Sequence, residues 1–167
     1  LPKEQELSDM KPAHVQVVPA ESLVKPGEKV QYKVRLFNAL GQFLEESKAE
    51  FSLAGSGELS DDGVFTAAGP GHQAAYVTAR VGELSGGARI RIVPELPWKF
   101  DFEGLSEPPV TWVGARYRHI IREVDGNQVM VKITTIRKGT RSRCWFGHPE
   151  LSNYTISARA KGAISTN

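Results

Sequence analysis

Apolar and polar residues alternate along most of this chain, and glycine or proline interrupts the alternation about every ten residues. The first run is His14–Val18, closed by Pro19. After Pro26-Gly27, residues 28–37 place Val30, Tyr32, Val34 and Leu36 on one face and Gln31, Lys33 and Arg35 on the other. That is the pattern of a half-buried antiparallel strand. Residues 38–42 contain a glycine and turn the chain, and residues 49–53 predict another short strand. Asp61-Asp62-Gly63 predicts a tight turn into Val64-Phe65-Thr66. Residues 73–81 alternate again with Ala75, Val77, Ala79 and Val81 together. Gly82-Glu83 and Ser85-Gly86-Gly87 mark a hairpin, and Ala88, Ile90 and Ile92 line the last strand of the series. About seven short strands with regular turn signals predict a β-sandwich.

A second series follows. Pro94-Glu95-Leu96-Pro97 is a stiff connector. Trp98, Phe100 and Phe102 alternate with Lys99, Asp101 and Glu103, which predicts a strand with three aromatics on one face. Residues 116–124 predict a strand that puts Arg116, Arg118 and Arg122 on one face. Asp125-Gly126-Asn127-Gln128 is a strong hairpin turn, with a return strand over 129–136. Trp145-Phe146-Gly147 and a strand over 154–158 complete about five strands.

With apolar residues at 40% of 167, a packed core is within reach and disorder is not the default. Residues 1–94 hold 10 Lys and Arg against 12 Asp and Glu, whereas residues 95–167 hold 11 against 7. The charge changes sign where the composition changes, so we expect three parts: a linker over 1–12, one domain over 13–94 and a second over 95–167. The start lacks a charged-then-apolar leader pattern, and no apolar run approaches the ~20 residues that span a bilayer. The expectation is an excised portion of a longer protein, with no membrane span. Cys144 is the only cysteine, so an intrachain disulfide is impossible and a packed free thiol is expected.

The run Val15-x-Val17-x-Pro19, then Pro26-Gly27, Val30-x-Tyr32-x-Val34 and Gly41, resembles the first half of a group 2 bacterial immunoglobulin-like domain. The second half is more telling: Gly57 through Gly63-Val64-Phe65-Thr66-Ala67, Gly69-Pro70-Gly71 and Tyr76-Val77-Thr78-Ala79 match that family's run. Phe51-Ser52-Leu53 departs from it where the family often carries a Trp. Further on, Trp98-x-Phe100-x-x-Glu103, Pro108-Pro109 and Trp112 are followed by Trp145-Phe146-Gly147 and Tyr154-Thr155-Ile156-x-Ala158-x-x-Lys161-Gly162. This set resembles the opening part of a concanavalin or laminin-G-like jelly roll. The combination is similar to the C-terminal region of exported planctomycete-type quinoprotein-like β-propeller proteins. The resemblance implies export to the periplasm or cell surface and a spacer role for the first domain. A full jelly roll needs eight or more strands, so the second sandwich is expected to be incomplete: either the module is truncated or another chain, as a partner, supplies the missing strands.

Candidate chemistry is sparse. His14, His72, His119 and His148 share no ligand spacing and read as surface or turn residues. Glu58, Asp61 and Asp62 offer hard oxygens for calcium, but Asp-Asp-Gly makes a turn without any metal. Asp101 and Glu103 fit a solvated sheet face better than an acid/base pair. Asn153-Tyr154-Thr155 is a sequon that matters only in a host that glycosylates exported chains. No cofactor or metal is expected. The best binding set is basic and aromatic: Arg116, Arg118, Arg137, Arg141 and Arg143 with Trp112 and Trp145. Arginines beside aromatic rings suit an anionic polysaccharide or a cell-surface protein. A charged, solvated edge strand accounts for the same residues, and no nucleic-acid motif is present. The sequence thus points to an all-β chain, an immunoglobulin-like β-sandwich followed by an incomplete jelly-roll-like β-sandwich. It reads as a non-catalytic structural or binding region of an exported protein. The alternative is a fragment of an enzyme whose active site lies outside these residues.

Overall fold

The computed structural model describes residues 7, 9–133 and 143–162. Every regular element among them is a β-strand, and no helix is long and apolar enough to cross a membrane. Ten strands fall between His14 and Ile92: β1 (His14–Val18), β2 (Glu21–Val24), β3 (Lys29–Gln31), β4 (Lys33–Phe37), β5 (Phe43–Ser47), β6 (Glu50–Gly55), β7 (Glu58–Leu59), β8 (Val64–Thr66), β9 (Gln73–Val81) and β10 (Leu84–Ile92). They form sheets of order β1-β4-β5, β3-β8-β7 and β2-β10-β9-β6. The first two sheets together cover the third. Val17, Val34, Leu36 and Phe65 from one layer meet Val24, Val77, Ile90 and Ile92 from the other in a single buried cluster. The molecule is all-β, and this part of it is a β-sandwich.

The strand expected over 28–37 is cut in two at Tyr32. Lys29–Gln31 pairs with β8, whereas Lys33–Phe37 pairs with β1 and β5. Tyr32 lies between them with its N–H donated to the Gly63 carbonyl at 2.8 Å. One face still turns inward throughout, so the alternation survives a change of sheet. The chain changes layer again at Pro19, beyond which β2 runs parallel to β10 from Glu21↔Arg89 to Val24↔Ile92. Neither β2 nor β5 is visible in the pattern. In β2 an inward position is taken by Ser22, whose Oγ accepts the buried Tyr32 hydroxyl at 3.1 Å. In β5 only Leu44 packs on the core. Ser85-Gly86-Gly87, read as turn, belongs to β10. A Cβ on Gly86 would stand 2.5 Å from the Val15 carbonyl oxygen, so glycine lets β1 cross closely over β10.

That crossing fixes where the chain enters and leaves. β1 starts beside the first residues of β10, and Val93, just past the last residue of β10, donates its N–H to Val24 at 2.8 Å. Entry and exit therefore lie at opposite ends of a nine-residue strand, a length of ~30 Å at the usual strand rise.

Beyond the sandwich, β11 (His119–Val124) and β12 (Asn127–Lys132) form a hairpin. Asp125 and Gly126 both have positive φ at its turn, as a tight two-residue connection requires. An isolated bridge joins Val113 and Trp145. The strands expected over 98–103 and 154–158 do not form. Phe102 has a φ of 64° and Gly104 one of 71°, which bends the first segment out of extended geometry. The second is exposed along its length and enters no ladder. Arg116 and Arg118 likewise do not share a strand face with Arg122, because residues 114–118 are turns and β11 begins at His119. Residues 134–136 of the expected return strand lie outside the described residues.

Candidate functional site

The aromatic residues that follow the sandwich do not line a sheet. They collect against its end. Trp98 is held by its own indole N–H, donated to the carbonyls of Pro94 and Glu95 at 3.0 and 3.1 Å. Phe100 and Phe102 pack edge-on to Trp112, with ring centroids 5.0 and 6.0 Å apart. Trp112 in turn stacks on Phe146 at 4.7 Å. The bridge between Val113 and Trp145 sets these two stretches side by side, so Trp112 and Phe146 meet on the same side of it. Edge-to-face and offset stacking are the arrangements the ring quadrupoles favour.

The sandwich contributes His72, the residue before β9. Its ring lies 5.1 Å from Trp98 and 4.8 Å from Phe100. Its Nδ1 is 3.0 Å from the Thr111 hydroxyl, and Thr111 is 2% exposed. Burial holds the His72 pKa below the ordinary histidine value, since the imidazolium loses water there. A cleft of about 390 Å³ opens beside it, lined by His72, Phe100, Glu107, Pro109 and Arg116 among others. Arg116 is paired with Glu107 at 3.1 Å across this cleft. Behind it Arg91, 8% exposed on the outer face of β10, is paired with Glu21. Desolvation lowers the Arg91 pKa, and the Arg116 charge adds to that.

The residues chosen from sequence fall into separate places. Trp112 is inside the aromatic cluster. Trp145 is 58% exposed, and its ring lies over Gly114, where a φ of 79° and the missing side chain make room. Arg143 is exposed, with its carbonyl also against Gly114. Tyr117, three residues after Gly114 in the turn over 114–118, is 87% exposed. Arg118 is exposed, and its carbonyl accepts from Ile133 at the foot of the hairpin. Arg116 faces the cleft and its own carboxylate partner. Arg137 and Arg141 lie outside the described residues. The structure thus divides the expected surface in two: a half-buried aromatic cluster with Trp112, and an exposed patch with Trp145 and Arg143.

The sequence shows no ligand spacing at His72 and points to a surface or turn residue, whereas the structure half-buries it against Trp98, Phe100 and Thr111. Its setting was invisible because its hydrogen-bonding partner is 39 residues away. Cys144 is partly buried, and desolvation raises its thiol pKa, which disfavours the reactive thiolate. Ser60 bonds Asp62 within the turn between β7 and β8. Among the described residues no three His, Cys, Asp or Glu side chains are grouped to hold a metal ion. No protein-family model matches the chain, and no curated protein matches it.

Proposed function

We propose that this chain is a non-catalytic connecting and binding region of an exported protein. In it an immunoglobulin-like sandwich over residues 13–94 acts as a spacer, and the part over 95–167 is an incomplete jelly-roll-like module that binds carbohydrate. The observation that carries the spacer reading is the placement of entry and exit at opposite ends of β10. A domain threaded in this way sets its neighbours apart by its own length. The sequence resemblances to group 2 bacterial immunoglobulin-like domains and to concanavalin or laminin-G-like modules support the same division. They also support export to the periplasm or cell surface.

The binding reading rests on Trp145, a large aromatic ring that is 58% exposed and lies with the exposed Arg143 against Gly114. Exposed rings stack on sugar faces, and a guanidinium pairs with carboxylate or sulfate groups. An anionic polysaccharide offers both. Retention on immobilised heparin at low salt tests this. Trp145→Ala and Arg143→Glu should elute clearly earlier than the parent chain, while Lys33→Glu and Arg35→Glu on the sandwich should not. Equal shifts from both pairs would mean that retention is a diffuse charge effect, and the assigned patch would be abandoned.

A further inference from the structure

We infer that His72 is a proton-operated latch, which in its neutral form holds the Trp98–Phe100 segment and the turn at Thr111 against the end of the sandwich and on protonation releases them. The inference is independent of what the exposed patch binds. It starts from where His72 sits. One residue of the sandwich touches three residues that follow it: Trp98, Phe100 and Thr111. Phe100 passes the contact to Trp112, and Trp112 passes it to Phe146. Moving His72 therefore unseats the whole run of rings.

The hydrogen bonding fits only a neutral ring. Nδ1 has the Thr111 hydroxyl, which can donate or accept. Nε2 is buried with no partner. A neutral imidazole protonated on Nδ1 leaves Nε2 as a bare acceptor. The imidazolium would instead bury an unpaired N–H carrying part of a positive charge, a far costlier state. The surrounding charges offer it no relief. Glu107 and Arg116, which line the same cleft, are committed to each other at 3.1 Å. Arg91 on β10 is paired with Glu21. Lys99 and Asp101, which flank Phe100, pair at 3.5 Å. On the Trp98 side, His148 lies with Nε2 3.2 Å from the Val93 carbonyl, and Glu95 pairs with Lys25.

The direction of the pH effect follows. With its folded value held below the unfolded one near ~6.5, His72 leaves the docked state untouched above that pH. As pH falls below it, the undocked state takes up the proton first and docking weakens until the folded value is passed. The opening constant of residues 98–112 should then rise by up to about tenfold per pH unit across that window, because a single proton is involved.

The full chain serves for the test, since all three tryptophans, Trp98, Trp112 and Trp145, lie beyond the sandwich. Tryptophan emission should shift to the red between pH 7.5 and 5. Amide exchange over 98–112, corrected for intrinsic rate, should quicken while β9 and β10 stay protected. His72→Phe keeps a ring and cannot be protonated, so it should abolish the shift, and His148→Phe should not. Should His72→Phe fail to fold, NMR titration of the parent chain decides alone: His72 must titrate well below ~6.5 and in step with the emission change. A transition that survives His72→Phe, one that follows His148, or a His72 that titrates normally with the rings undisturbed would overturn the latch.

Discussion

The sandwich and the residues after it are held together in different ways. Among the described residues the buried apolar side chains lie at or before Val93, except Pro108, Pro109 and Ala115. The sandwich closes two layers over one cluster, and Asn38 illustrates how a buried polar side chain is paired within it. That side chain is fully buried, accepts from the Leu40 and Gln42 backbones and donates to the Asp9 carbonyl, which staples the β4–β5 turn. The later residues have no comparable core. They rest on rings leaning on rings with His72 against them, and the one hairpin among their described residues is of a size that is marginal alone in water. A closed double layer can stand alone, while a ring cluster built on its end borrows the stability of what it leans on.

That contrast can be broken at several points. The largest effect is expected from Phe65→Ala, which empties a fully buried site facing β9 and β10. Denaturant unfolding should show a loss of about 3–5 kcal/mol, with the tryptophan signal and the strand signal lost together. If the tryptophan cluster outlasted the sandwich, the dependence would run the other way.

Trp112→Ala should cost about 2–3 kcal/mol, since it removes three ring contacts along with the burial. The cost should be local: hydrogen exchange should quicken in β11 and β12 and leave β9 and β10 unchanged. Global unfolding at lower denaturant would show instead that the two parts form one cooperative unit.

The smallest effect is expected at Tyr32→Phe, which deletes the bond to Ser22 for about 0.5–1.5 kcal/mol. It also has a signature in pH. Burial raises the Tyr32 pKa, so above pH ~10 the unfolded chain loses its phenolic proton first and stability falls. The Phe variant should lack that part of the alkaline decline, and equal slopes for both chains would remove Tyr32 as its source.

How much of this was legible in the sequence depended on how far each feature reaches along the chain. Alternation reported the inward faces of β4, β9 and β10 correctly, because a core face is a local property of period two. It missed the break at Tyr32, since changing sheets leaves that period intact. β2 was hidden by Ser22 and β5 by a single inward Leu44. In the later part the same logic misled: Trp98, Phe100 and Phe102 alternate, yet they turn toward partners from distant segments, His72 and Trp112. Trp112 and Trp145 were grouped by type, but one is packed among rings and the other faces solvent. Pairings of that kind depend on side chains tens of residues apart, which periodicity does not record.

The parallel pairing of β2 with β10 has a mechanical meaning. Tension applied between the entry near Ala13 and the exit at Val93 pulls β2 and β10 lengthwise past one another. Their registered pairs, from Glu21↔Arg89 to Val24↔Ile92, would then bear load side by side and not in succession. Strands pulled apart from one end unzip a bond at a time, whereas strands sheared along their length must break the ladder at once. The four residues of β2, unremarkable in the sequence, then share that load with the β1–β4 ladder through which the pull enters.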